Sequence, residues 1–253
     1  MECKLLPLFS SSTGNCTLVV LGETKILVDA GVSAKQITLK MKQAGIDPKE
    51  LSAIVVTHSH SDHTAGIRVL SKQNDLPVYA TQGTWDGISV KNTPEKESSV
   101  RVITTGEDFY IDDVNVLPFP IPHDTKDPCG YAFSCRGARV CVATDVGCIR
   151  DSWLCPLEGA DAVLLESNHD VEMLKAGPYE YDLKKRILSK KGHLSNDDAG
   201  KAAVRLSQSG VKTIVLGHLS ETNNIPEIAY LTVKNALDEA GETDVALSVA
   251  APR

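Results

Sequence analysis

Apolar residues recur along this chain in short runs, each closed by glycine or by a polar side chain. "CTLVVLG" (16–22) and "KILVDAG" (25–31) flank Gly22, which predicts two strands joined by a tight turn. A three-to-four-residue rhythm follows. Ile37, Met41 and Ala44 share one helical face, with Ser33 as a suitable N-cap and Gly45 as a suitable stop. "LSAIVVTH" (51–58) returns to a continuous apolar run, a buried strand, and a helix is expected to start near Asp62 or His63.

The middle of the chain is strand-rich: "RVITTG", "DFYIDDVNVLPFPIPHD", "GYAFSC" and "RVCVATD". The last third alternates. "DAVLLES", "VKTIVLGH" and "DVALSV" have strand character, while "YEYDLKKRILSKKG", "SNDDAGKAAVRLSQSG" and "IPEIAYLTVKNALDEAG" have helical character. Ser195, with Asp198 three residues on, resembles a helix-start cap. No repeat, low-complexity tract or linker interrupts the pattern, so residues 1–253 are expected to form one α/β domain, a layered sandwich with helices outside mixed sheets.

Composition narrows the class. Apolar residues make up 42% and charged residues 23% of the 253, ordinary for a soluble globular protein. No apolar run approaches the roughly 20 residues that span a bilayer. The N-terminal "MECKLLPLFSSSTGNC" turns polar too soon for a signal peptide, so a cytoplasmic protein without membrane partners is expected. The seven cysteines contain no C-x-x-C pair, which argues against a disulfide framework and a zinc ribbon; Cys135 and Cys141 are expected in the core. A net charge of −7 disfavours nucleic-acid binding over the whole surface and leaves room for a local basic groove.

Three of the chain's seven histidines fall in "THSHSDH" (57–63). His58 and His60 point the same way from an extended segment and can reach one ion. Asp62 and His63 lie past the turn and can reach a second. H-x-H-x-D-H arises by chance in only about a few of ten thousand such chains, which makes it a strong motif. Imidazole and carboxylate suit zinc, manganese or iron. Further ligands are expected where other apolar runs end in ligand-type side chains: His123 after "VLPFPIP", Asp145 after "RVCVAT" and His218 after "TIVLG".

This pattern resembles the metallo-β-lactamase-fold hydrolases, and "VDAG" (28–31) resembles that superfamily's first motif. The resemblance runs from about residue 10 to the end and implies a four-layer αβ/βα sandwich. It also implies two divalent ions: His58, His60 and His123 on one, Asp62, His63 and His218 on the other, Asp145 bridging, and Asp29 as a buried carboxylate supporting the metal loop. Two such ions share a water whose pKa a single ion can already lower from 15.7 to about 7, and the hydroxide becomes the nucleophile. Zinc-type β-lactamases carry Cys where this chain has Asp145. Nucleases with a large inserted cap need a longer segment than the 72 residues between Asp145 and His218.

His193 lies 25 residues before His218, and this resembles the tRNA 3′-processing endonucleases and related phosphodiesterases, in which the corresponding His pairs with an upstream Glu. Here Glu166 in "LLESNHD" matches. An imidazolium held by a carboxylate stabilises a phosphodiester leaving oxygen, so His193, Glu166 and Asp62 are the candidate catalytic residues. More narrowly, "SSSTGNCTLV", "THSHSDHTAGI", "IPHDTKDPCGYAF", "ATDVG", "LLESNHD", "LKKRILSKKGHLSN" and "GHLSETNN" resemble the bacterial WalJ/YycJ-type exonuclease-like proteins. No Gly/Pro-rich insertion is visible that could grip tRNA. The resemblance therefore implies DNA rather than RNA as partner and substrate.

Between Lys184 and Lys191, five of eight residues are basic. Lys184, Lys185 and Lys191 are candidate contacts for a nucleic-acid backbone, although the run also suits a solvated helix face. Ser11, Ser12 and Asn15 lie in a turn whose amides can hold a phosphate, or which is simply a hairpin turn. Glu221, Asn223 and Asn224 follow the last ligand and either bind substrate or shape a loop. Asp124 is expected to support its neighbour His123. His169 has no assigned role.

The reading is a dinuclear metal phosphodiesterase, a DNA 5′–3′ exonuclease using zinc or manganese. The alternative is a carboxylic ester, lactone or thioester hydrolase on the same two ions. A non-catalytic binding protein or an iron redox module is a third class; the complete H-x-H speaks against the redox module, which usually has a glutamate there. A homodimer is compatible with all of these.

Overall fold

The computed structural model describes residues 2–251. One sheet carries β1 (Cys3–Ser11), β2 (Gly14–Leu21), β3 (Thr24–Val28), β4 (Ala53–Val55), β5 (Val78–Thr81) and β6 (Val100–Ile103), adjacent in that order. The other carries β7 (Phe109–Ile111), β8 (Val114–Pro120), β9 (Cys129–Cys135), β10 (Ala138–Ala143), β11 (Ala162–Glu166), β12 (Thr213–Gly217) and β13 (Ala246–Val249), also in chain order across the sheet. Both sheets are mixed. β1 to β3 and β7 to β10 are antiparallel hairpins, and β3 to β6 and β10 to β13 run parallel.

Helices α1 (Ala34–Gln43), α2 (Ser61–Thr64), α3 (Ile67–Asn74) and α4 (Gln82–Gly87) belong to the first half. The second half has α5 (Asp151–Leu154), α6 (Val171–Ala176), α7 (Tyr181–Ile187), α8 (Asn196–Gln208) and α9 (Pro226–Glu239). Three apolar clusters define four layers. Ile37 and Met41 of α1 and Ile67 and Leu70 of α3 pack on Leu18, Leu27 and Ile54 of the first sheet. The opposite faces of the two sheets meet through Val19, Ile26, Val28, Tyr131, Phe133 and Val142. Ala199, Ala203 and Leu206 of α8, with Val233 and Leu237 of α9, cover the outer face of the second sheet at Val163, Leu165 and Ile214. Strand alternation sorts the side chains: in β2, Leu18 and Val20 face α1 and α3, while Val19 and Leu21 face the other sheet. The expected αβ/βα sandwich is what folds.

Several elements differ from the sequence pattern. β1 is an added edge strand, hidden because Pro7 and a register shift break its run; an edge tolerates both. Ala44 is exposed, since α1 ends at Gln43 and Ala44 is its C-cap. The run 51–58 is regular strand only over Ala53–Val55, because Thr57 turns its amide to the Asp29 carboxylate. α2 is one turn, and α3 follows it separately. α7 ends at Ile187 instead of running to residue 192; the amide of His193 folds back to Ile187 O, which carries His193 inward. Helices α4, α5 and α6 had no clear periodic signal. Cys135 and Cys141 are buried as expected, and all seven cysteines are free thiols. Among the described residues no helix is long and apolar enough to cross a membrane.

Candidate metal centre

The polar ends of the strands meet at one edge of the sandwich. β3 leads into Asp29, β4 into Thr57 and His58, β8 into His123, β10 into Asp145, β11 into Glu166 and β12 into His218. Asp29, Asp145 and His218 all take left-handed backbone, with φ of 63°, 60° and 56°. Asp and His are among the non-glycine residues that tolerate this region, and such strain is kept where function or packing requires it. Here it turns each side chain off its strand toward a common point. The "VDAG" turn braces the histidine loop from below: Ala30 N donates to His63 O, and Gly66 N donates to Ala30 O. A Cβ added at Gly31 would lie 1.5 Å from Asp62 O, so only glycine lets the two loops approach this closely.

Each histidine is held by one nitrogen. Nδ1 of His58 is 3.0 Å from Thr57 Oγ1, that of His63 is 2.7 Å from Asp29 Oδ2, that of His123 is 3.2 Å from Gly192 O, and that of His218 is 2.8 Å from Glu166 Oε1. The carboxylates and the carbonyl can only accept, so they fix Nδ1–H and leave Nε2 as the atom facing the centre. His60 is turned the other way. Its Nδ1 faces Nε2 of His58 at 3.0 Å and Nε2 of His123 at 3.3 Å, and its own Nε2 lies 3.4 Å from Asp124 Oδ1. Three imidazole nitrogens thus converge on one point.

Two donor groups result. Ligand-type atoms of His58, His60 and His123 lie within 4.8 Å of one another, and so do those of Asp62, His63 and His218. Asp145 stands between them: Oδ1 is 3.6 Å from His123 Nε2, and Oδ2 is 3.3 Å from His63 Nε2. Asp145 Oδ2 and His218 Nε2 are buried without a hydrogen-bond partner. Buried polar atoms rarely stay unpaired unless an ion or water completes them. The nitrogen and oxygen donors, their convergence and these orphaned atoms fit divalent metal ions.

The charges agree. Burial, with the neighbouring imidazoles, pushes His58 well below the usual histidine range, so it is a neutral donor. Burial would raise the Asp62 carboxyl, but His63 and His218 outweigh it and hold Asp62 well below the carboxylate range. Burial likewise opposes charge on Asp145, and His218, His63 and His123 reverse it. Both acids are anionic donors.

Glu166 is fully buried and uses both oxygens. Oε2 accepts from the amides of Val146 and Leu194; Oε1 lies 2.8 Å from Nδ1 of His193 and 2.8 Å from Nδ1 of His218. Burial opposes charge on His193, but Glu166, with Asp145 and Asp124 behind it, raises it to about 9. His193 opens onto a cleft of about 320 Å³ that His60, Asp62, Asp145 and His218 also line.

The other residues singled out in the sequence divide. Ser12 and Asp124 line the cleft, and Arg186 on α7 clamps Asp124. Asn15 is buried behind it, with Nδ2 3.0 Å from His63 Nε2 and 3.4 Å from Asp62 Oδ2; Ser11 is buried and bonds Thr13. Asp29 accepts from the amide and hydroxyl of Thr57. Glu221 accepts from Thr13 outside the cleft lining. Asn223 and Asn224 do not reach the cleft: Asn224 pairs its amide with that of Asn196, and Asn223 is buried under Gly177. Lys184 and Lys185 sit on the outer face of α7, and Lys191 presents its backbone to Gly147 with the side chain exposed. His169 is buried with neither ring nitrogen hydrogen-bonded, and burial pushes it down to about 4. Its carbonyl receives Asn196 N at the start of α8. Sequence reasoning missed Asn168 and Tyr179 as cleft residues; Ser220 opens the segment expected there, and Arg186 belongs to the basic run. Asn168 lies two residues beyond Glu166, which is a usable signal; Tyr179 carries none.

The comparisons with known proteins bear on this site. The sequence profile of the β-lactamase superfamily domain matches residues 24–219. Exodeoxyribonuclease YycJ of Bacillus anthracis is 40% identical over 236 residues, covering 92% of this chain and 89% of the relative. Exodeoxyribonuclease WalJ of Streptococcus pneumoniae is 38% identical over 235 residues, covering 92% and 87%. Among solved structures, the metallo-β-lactamase-fold protein YhfI of Bacillus subtilis superposes with a TM-score of 0.68 at 16% identity, over 99% of this chain and 97% of that one. That likeness is one of fold. The chain belongs to the β-lactamase superfamily, in the branch that holds YycJ and WalJ.

Proposed function

We propose that this protein is a metal-dependent phosphodiesterase acting as a DNA 5′–3′ exonuclease, with two divalent ions, zinc or manganese, at its centre. The observation that carries the reading is the Glu166–His193 pair, 2.8 Å apart, at the wall of the cleft. A carboxylate-held imidazolium can protonate a leaving oxygen that departs with negative charge, as the sugar oxygen of a phosphodiester does. The names of YycJ and WalJ as exodeoxyribonucleases support the same class.

His58, His60 and His123 would hold one ion, Asp62, His63 and His218 the other, and Asp145 both. When bound, such ions supply an acidified water as nucleophile and neutralise the phosphate. The protein's own residues do the rest. Glu166 keeps Nδ1 of His193 protonated and turns the ring toward the cleft. His193 then donates to the leaving oxygen and takes the proton back from water. Asp29, Thr57 and Glu166 keep Nε2 of His63, His58 and His218 aimed inward.

The test uses 5′- and 3′-labelled single- and double-stranded DNA and RNA, with manganese or zinc added, resolved on gels. A ladder of products shortened from the 5′ end of DNA is expected. Hydrolysis of nitrophenyl esters without cleavage of bis(4-nitrophenyl) phosphate would replace this reading with that of an ester hydrolase.

A further inference from the structure

Helix α7 has two unlike faces, and both are open. Leu183, Arg186 and Ile187, spaced i, i+3 and i+4, line the cleft of the metal centre. Tyr181, Lys184, Lys185 and Leu188, spaced i, i+3, i+4 and i+7, line a separate groove of about 620 Å³ on the other side, closed by Lys175 and Ser189. The helix is therefore a partition between the cleft and this groove. Tyr181 is 77% exposed and Leu188 47% exposed, which is unusual for large apolar side chains on one short helix.

We infer that the outer groove of α7 is a second nucleic-acid subsite, which holds the single strand beyond the residue engaged at the metal centre. The inference rests on the phosphodiesterase reading. The cleft, at about 320 Å³, is at the small end of ligand sites, so a polymer has to continue outside it. α7 is one wall of that cleft, so a strand passing over the helix enters the groove. The charge there is of the right sign on a protein whose net charge is −7. Glu172 occupies Lys175, and Lys184 Nζ donates to Lys175 O, an uncharged partner; Lys185 has no hydrogen bond or ion pair among the described residues. Two lysines thus keep uncompensated charge beside an exposed aromatic ring. That combination suits a phosphate backbone with a base stacked on Tyr181, a sequence-tolerant mode of single-strand binding. A protein partner would gain from Tyr181 and Leu188 but would have to bury both lysines.

The experiment measures binding of cleavage-resistant phosphorothioate oligothymidylates of about 2, 6 and 20 nucleotides to the metal-loaded full chain, by fluorescence anisotropy across a salt series. For the unmodified protein, affinity should climb with length. Y181A should weaken the 20-mer at least about fivefold, as expected for losing one stacked base. K184E/K185E should weaken it more than tenfold, and its log–log salt slope should fall by about 1.4, or about 0.7 for each lost phosphate contact. Both variants should retain most of the affinity for the dinucleotide. A climb with length that survives in both variants overturns the inference, as does a change in oligomeric state on size exclusion with the climb intact, which would assign the face to a protein contact. Release of nitrophenol from bis(4-nitrophenyl) phosphate by the unmodified chain reports on the phosphodiesterase reading alone. Its presence alongside an unaltered climb refutes only the groove.

Discussion

His193 and His218 are held by the same carboxylate oxygen: Glu166 Oε1 lies 2.8 Å from Nδ1 of each. One ring opens on the cleft as a candidate proton donor, and the other turns Nε2 toward Asp62 as a candidate ligand. A single buried acid thereby sets the charge of one imidazole and the tautomer of the other.

Variants of the two partners should therefore fail differently. His193→Ala removes the donor and leaves the Glu166–His218 contact in place. Metal content by plasma mass spectrometry should stay near that of the parent, while phosphodiester turnover falls by about 10²–10⁴. Glu166→Gln replaces one acceptor oxygen by an NH2 group, which then faces either the two imidazole N–H groups or the amides of Val146 and Leu194. It should lose turnover and also weaken metal affinity by about 10–100-fold through His218. Equal metal affinity in the two variants would show that Glu166 does not position His218.

The same pair predicts a pH window in the metal-free chain. Burial resists charge on His193, yet Glu166 raises it to about 9 from the ordinary 6.5. The stability it brings is complete below pH 6.5 and is lost as pH rises through about 9. Burial would raise Glu166, but His193 and His218 hold it well below the carboxylate range. Its share is present above the unfolded value of 4.5 and is lost as pH falls below that. Melting temperatures in chelator should decline on both sides of that window. His193→Gln should flatten the alkaline limb, and histidine NMR should place the His193 titration near 9.

Asp29 is a sharper probe of the histidine loop. Its carboxylate accepts from Thr57 N and Oγ1 and faces His63 Nδ1 at 2.7 Å, all from a backbone at φ 63°. Asparagine also tolerates left-handed backbone, so Asp29→Asn changes the charge with little added strain. It keeps one acceptor oxygen and loses the anion that fixes His63. Metal affinity should drop by about 10–100-fold with the fold retained by circular dichroism. Unchanged affinity would mean that Thr57 alone orients the loop.

The convergence of these side chains was legible because candidate ligands are a few residue types at rigid strand ends. His58, His60, Asp62 and His63 declare themselves by spacing, and His123, Asp145 and His218 by closing apolar runs. The sandwich was legible because buried strands and amphipathic helices have different periods. What escaped lies in segments without period. The one-turn α2 and the shortened α7 are set by tertiary hydrogen bonds such as His193 N to Ile187 O. Arg186 reads as one charge in a basic run, yet the helix turn separates it from Lys184 and Lys185 and aims it at Asp124. Asn223 and Asn224 look like cleft residues by position, but the loop folds them inward, where Asn224 meets Asn196. Composition cannot tell an amide that greets substrate from one that closes a core.

The most severe loss should come from a methyl group. At Gly31 an added Cβ would fall 1.5 Å from Asp62 O and 2.6 Å from Asn15 N, both backbone atoms that no side-chain rotation can move. The φ of Gly31 is not left-handed, so the demand is for space alone. Gly31→Ala must push the 60–63 segment off the "VDAG" turn, shifting Asp62 and His63 together and loosening Asn15 behind them. Overpacking of this kind costs typically about 1–3 kcal/mol and occasionally more. Metal content should fall at the Asp62–His63–His218 group before the fold is lost, whereas Gly45→Ala, where nothing lies within 4 Å, should affect stability only through its left-handed φ of 78° and leave metal content intact. If Gly31→Ala bound metal as well as Gly45→Ala does, the close approach of the two loops would not be what sets the geometry of the centre.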